Sequence, residues 1–140
     1  MLFDDMKKKT KVIIVLAAVA VLISGYFLLD YLDSVNRYRR AIREIEFTHY
    51  DASGIPDGSY TGECDVDFIY ARVEVHIENE QIIKIALLEH RHERGADAGR
   101  ITQDIINQQR IDVDAVAGVT YSSQVIKKAV DNALSNAMEQ

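Results

Sequence analysis

The sequence predicts an α+β fold: a small antiparallel sheet with two packed helices, preceded by one N-terminal transmembrane helix. Three observations lead there. A charge-free apolar run lies near the start. Three central segments carry strand patterning joined by turn residues. The last third holds two amphipathic stretches of helical period. With 140 residues the chain has room for one domain and not two.

The apolar run is Val12–Leu29, VIIVLAAVAVLISGYFLL, 18 residues without a charge. At about 1.5 Å per residue it covers the core of a bilayer. A helix buried in a soluble domain is rarely apolar on every face. Lys7, Lys8, Lys9 and Lys11 precede it, as in a signal peptide. No small-x-small cleavage site follows and no cysteine lies there, so the run reads as an uncleaved signal anchor.

Orientation rests on distance. Arg37, Arg39, Arg40 and Arg43 match the lysines in number, but the lysines lie closer to the span, and Asp30 and Asp33 come first on the far side. Residues 1–11 are therefore expected as a cytoplasmic basic tail and residues 12–29 as the span. The rest lies outside the cytoplasm, making a single-pass protein of the cell membrane with the lipid bilayer as its first partner.

Residues 30–56 read as a juxtamembrane helix and linker. Val35, Tyr38, Ile42 and Ile45 recur at helical spacing from Asp30 to Phe47, with arginines between them. That pattern suits a stalk with a solvated charged face, or a helix meeting anionic headgroups. Ser53-Gly54, Pro56 and Asp57-Gly58 mark a turn-rich linker. Residues 57–140 form the expected domain.

Within it, Tyr60, Gly62, Cys64, Val66 and Phe68 alternate with polar residues, the pattern of a half-buried strand. Tyr70–Glu78 repeats it. Glu78-Asn79-Glu80-Gln81 makes a turn in which Asn79 can adopt a left-handed conformation. Ile82–Glu89 is apolar on both faces, which predicts the middle of the sheet. Arg100–Gln109 is a short helix with Ile101, Ile105 and Ile106 on one face. Ser122–Met138 is the clearest helix, with Val125, Ile126, Ala129, Val130, Ala133, Leu134, Ala137 and Met138 in one stripe.

The net charge is −6 and the domain has no basic face, which excludes nucleic acid as a partner. The single cysteine, Cys64, rules out an intrachain disulfide and a thiolate zinc site, and it falls on the apolar side of its strand. His90, His92 and Glu93 could ligate a metal, but a third firmly placed ligand is missing, so no metal site is expected.

The densest chemistry lies in Asp114-Ala115-Val116-Ala117-Gly118-Val119-Thr120-Tyr121-Ser122-Ser123. Gly118 lets the backbone approach a ligand or take a positive φ. Thr120 offers a hydroxyl at the mouth of a helix. Tyr121, Ser122 and Ser123 add hydroxyls and N–H donors. A helix start has unpaired N–H groups and a favourable dipole for a phosphate. An ordinary capped helix would use the same residue types.

The stretch resembles the signature of the FMN-binding domain family, which reads Asp, two residues, Ser-Gly-Ala-Thr, one residue, Thr-Ser. That family includes the flavoprotein subunits of the sodium-pumping quinone reductase and the Rnf complex, and single-domain extracytoplasmic carriers. Asp57–Glu63 is similar to its opening strand and Val73–His90 to its hairpin. The resemblance implies FMN as cofactor, esterified through its phosphate to Thr120 by a separate flavin transferase that uses FAD. It assigns Asp114 and Gly118 to the loop that the transferase reads; Val119, Tyr121, Ser122 and Ser123, next to Thr120, complete the candidate cofactor-binding residues.

Four departures stand out: Ala117 for the motif serine, Val119 for the motif alanine, His92-Glu93-Arg94-Gly95 for Glu-Thr-Pro-Gly, and Cys64-Asp65-Val66-Asp67 for a glycine-rich segment. The function implied is an anchored electron carrier, fed by a membrane dehydrogenase or the quinone pool. A flavin-free adaptor of the same fold and a reversible FMN binder are the alternatives.

Overall fold

The computed structural model describes residues 2–92 and 96–139. The chain divides into two compact units, Met1–Arg37 and Tyr38–Gln140. One continuous helix, α1 (Leu2–Arg43), takes in the whole apolar run and most of the juxtamembrane stretch. Its most apolar window has a mean hydropathy of 2.8 and none of it is buried, so it is long and apolar enough to cross a membrane. The helical reading to Phe47 overshot. α1 stops at Arg43, and the chain from there to Asp57 has no regular structure.

The second unit holds an antiparallel sheet of β1 (Gly58–Val66), β2 (Ile69–Glu78) and β3 (Gln81–Arg91), in that spatial order. A 3-10 turn (Ala96–Arg100) leads into α2 (Ile101–Gln108), and α3 (Thr120–Met138) ends the chain. α3 lies on β1 and β2, while α2 packs on β3. One sheet face is thus covered, and the alternation on β1 and β2 follows from that. Val73, Val75 and Ile77 point into the core, as do Tyr60 and Gly62.

Both hairpins turn in two residues. Asn79 and Glu80 both have positive φ (52° and 59°), the requirement of a type I′ turn whose twist matches the strands. Asp67 and Phe68 make the first turn, Asp67 at φ 52°, so the first strand ends at Val66 and not at Phe68.

The expectation that Ile82–Glu89 lies mid-sheet is overturned: β2 is central and β3 is an edge. Two bulges explain the misleading pattern. Register shifts opposite His76/Ile77 and Arg72/Val73 leave Ile83 and Leu88 as extra residues. Each is pushed to the solvent side (47% and 53% exposed), while Ile82 and Ile85 stay buried. The strand is apolar on both faces because of its bulges, not because both faces are covered.

Side chains cap the free edges. The Gln109 amide accepts from Ile82 N and donates to Ile82 O, both at 2.8 Å, like a short strand laid on β3. On the other edge, Asn132 and Asn136 of α3 donate to the carbonyls of Glu63 and Thr61 at 2.8 Å. These bonds blunt edges that would otherwise invite pairing with another chain.

The core also takes in residues upstream of Asp57. Ile42, Ala52 and Ile55 are buried with it. Asp131 of α3, fully buried, accepts from the backbone N of Thr48 and His49 at 2.7–3.1 Å and binds Lys128 Nζ at 2.6 Å. This carboxylate straps the segment after α1 to the last helix.

Candidate functional site

From Arg110 to Val116 the chain has no regular structure, and its burial alternates as far as Asp114. Ile111, Val113 and Val116 are buried, whereas Asp112 and Asp114 face solvent. Ile111 N bonds Tyr50 O at 2.8 Å, which ties the start of this segment to the strap. Arg110 pairs with Asp112 and holds its carboxyl below the usual carboxylate range.

The chain then turns sharply. Val119 N donates to Val116 O at 3.1 Å across Ala117 and Gly118, and Gly118 has φ +82°. Positive φ at the third residue is the mark of a type II turn. A Cβ on Gly118 would meet nothing within 4 Å, so the backbone angle, not space, calls for glycine.

Thr120 follows as the first residue of α3, with its side chain exposed. Val119 occupies the N-cap, and no side chain caps the helix. Neither Ser122 nor Ser123 caps it. Ser123 is fully buried; its Oγ donates to Val119 O at 3.0 Å and accepts from Val116 N at 3.1 Å. It cross-links the turn to the helix. Ser122 is buried as well, whereas Tyr121 is exposed. The first intrahelical bond at this end is Ser123 N to Val119 O. The N–H groups of Thr120, Tyr121 and Ser122 lie ahead of it and point out of the helix start.

Two features escaped the sequence reading. Lys127 is only 4% exposed, and its Nζ donates to Val113 O at 2.7 Å while lying 5.2 Å from the Phe47 ring centre. Burial pulls its pKa down, with Asp112 and Asp114 opposing. It props the segment that carries Asp114. Its position four residues after Ser123, on the buried face, was the available signal; a lysine is rarely assigned to a core. The second feature is aromatic. Tyr38 meets Phe68 (centroids 5.3 Å, 76°) and Tyr121 (6.0 Å, 86°) edge to face.

Cys64 is half-buried and its thiol is pushed up to about 11 by burial, so it stays protonated at neutral pH. The rings of His90 and His92 lie 4.6 Å apart. Glu93, with Arg94 and Gly95, lies outside the described residues. Among the described residues no group of three or more His, Cys, Asp or Glu could hold a metal.

The start of α3 is uncapped and lies beside the exposed Thr120, an arrangement that can favour an anion. Residues 67–135 match the family model of the FMN-binding domain, so that stretch carries the family's domain. No curated protein matches the chain. The residues suit FMN at its phosphate end. The uncapped N–H groups can accept the anion, the Gly118 turn leaves open space, and Thr120 stands beside them.

Proposed function

We propose that this protein is a membrane-anchored flavoprotein that carries electrons through FMN esterified to Thr120. The observation that carries the reading is the exposed Thr120 hydroxyl at the first position of α3, directly after the Gly118 turn and inside the matched region. When bound, the flavin supplies the redox chemistry, and the protein supplies position and potential.

Loading is a phosphoryl transfer from FAD by a flavin transferase. Thr120 Oγ gains a bond to the flavin-side phosphorus and gives up its proton. The pyrophosphate bond breaks and AMP leaves. The turn and the helix start hold the acceptor in place and stabilise the phosphodiester charge afterwards.

The apolar part of α1 anchors the protein, with residues 1–11 in the cytoplasm and the domain outside. Electrons come from a membrane dehydrogenase or the quinone pool. Co-production with a flavin transferase is expected to add the mass of one FMN less one water, and Thr120→Ala to abolish the gain. A Thr120→Ala protein that still gains the mass defeats the assignment. Flavin that leaves on denaturation identifies a reversible binder, and no flavin at all an adaptor. A reporter fused after Gln140 and active only in the cytoplasm overturns the topology.

A further inference from the structure

The rings of the Tyr38–Phe68–Tyr121 cluster stand beside Thr120, apart from the backbone N–H groups that would hold a phosphate. Tyr121 immediately follows Thr120 and is 36% exposed. Tyr38 lies between Tyr121 and Phe68 and meets both near a right angle. Phe68 comes from the β1–β2 turn and Tyr38 from the last turns of α1. Three elements distant in sequence thus bring three rings together at one end of the domain. Two of the rings are phenols.

A flat, electron-poor ring system stacks well on electron-rich phenols, and such contacts favour offset or edge-to-face geometry. We propose that Tyr121 and Tyr38, buttressed by Phe68, are the seat of the isoalloxazine ring of FMN. This rests on the reading that Thr120 carries the flavin. The phosphate would lie over the start of α3 and the ribityl arm would lead the ring back onto the Tyr121 side. Tyr38 is upstream of the matched residues 67–135, so the seat draws on a side chain outside the matched stretch. The helix that leads out of the apolar run would then touch the cofactor itself.

The test uses the full chain in detergent, co-produced with a flavin transferase, and reads flavin emission and visible circular dichroism per flavin carried. A stacked phenol quenches excited flavin; a stacked phenylalanine does so far less. The folded protein is expected to emit less than its urea-unfolded form. Tyr38→Phe and Tyr121→Phe are each expected to raise emission about two- to ten-fold while keeping the induced dichroism, because the rings remain. Tyr38→Leu is expected to lose the dichroism as well. Equal emission from folded and unfolded protein overturns the seat, and so does a Tyr38→Phe variant that emits like the parent.

If no mass is gained, the covalent reading fails by itself. The seat is then read by titrating free FMN into the same protein. Quenching that Tyr38→Phe relieves supports it, and emission unchanged from FMN in buffer overturns it.

Discussion

Replacing Gly62 by alanine separates two physical arguments of opposite sign. By strand propensity alone, alanine should gain about 0.5–1 kcal/mol over glycine. The structure argues the reverse. A Cβ at Gly62 would lie 2.2 Å from Ala129 O, 2.3 Å from Ala133 N and 2.8 Å from Ala133 Cα. All three are backbone atoms of α3, so no side chain can swing away. Ordinary contact begins near 3.4 Å, and α3 must withdraw from β1 by about 1 Å to reach it.

That shift strains the Asn132 and Asn136 bonds to Glu63 O and Thr61 O, which flank Gly62 at 2.8 Å. Overpacking costs about 1–3 kcal/mol where side chains can adjust. Here the upper end applies, about 3 kcal/mol, against a total stability of about 5–15 kcal/mol for a domain. For a unit of about 100 residues that lowers the melting midpoint by about 12 °C or more. Thermal unfolding of the full chain in detergent, followed by near-ultraviolet circular dichroism, measures it. Ala133→Gly does not rescue the variant, because the clash is with main chain. A midpoint unchanged or raised in Gly62→Ala would refute the close approach of α3.

Three further outcomes are expected. Gly118→Ala costs about 1–2 kcal/mol through its positive φ alone, since the space is open, and urea unfolding reads it. Gln109→Ala leaves both polar groups of Ile82 unpaired, costs about 1–3 kcal/mol, and bares the β3 edge, so light scattering should show self-association. His90 has a pKa below its usual 6.5, because burial disfavours its charged form and His92 adds to the effect. Its unfolded form therefore takes a proton first, so stability falls as the pH drops below 6.5, and a His90→Gln variant should flatten that slope in urea titrations.

The local patterns were legible where one face alone decides. Tyr60, Gly62 and Cys64 alternate because α3 covers one side of β1, and the α3 stripe is buried from Val125 to Ala137. Asn79 announced its turn through its tolerance of positive φ. Other features depend on partners that no short window contains. Ile83 and Leu88 read as core until the bulges turned them out. Asp131 reads as a surface residue, yet it bonds Thr48 some 83 residues away. At the candidate site, the turn at Gly118 and the start of α3 were within reach of the sequence. The loss of Ser122 and Ser123 to the interior was not, because both look like solvent-facing hydroxyls beside Thr120.

Position 120 sets stability against function most sharply. Thr120 is exposed, leaves the N-cap to Val119, and is a poorer helix former than alanine by up to about 0.7 kcal/mol. An acidic residue in the first turn, where α3 has none, would gain about 0.3–1 kcal/mol from the helix dipole. Thr120→Ala and Thr120→Asp should therefore keep or raise the urea midpoint of the full chain in detergent. Both remove the acceptor oxygen, so both should end the mass gain. A threonine at that point is the worse choice for the helix and the necessary one for a phosphodiester. If Thr120→Ala instead lowers the stability by the 1 kcal/mol or so that a lost cap costs, the hydroxyl serves the fold, and the case for an acceptor loses its physical basis.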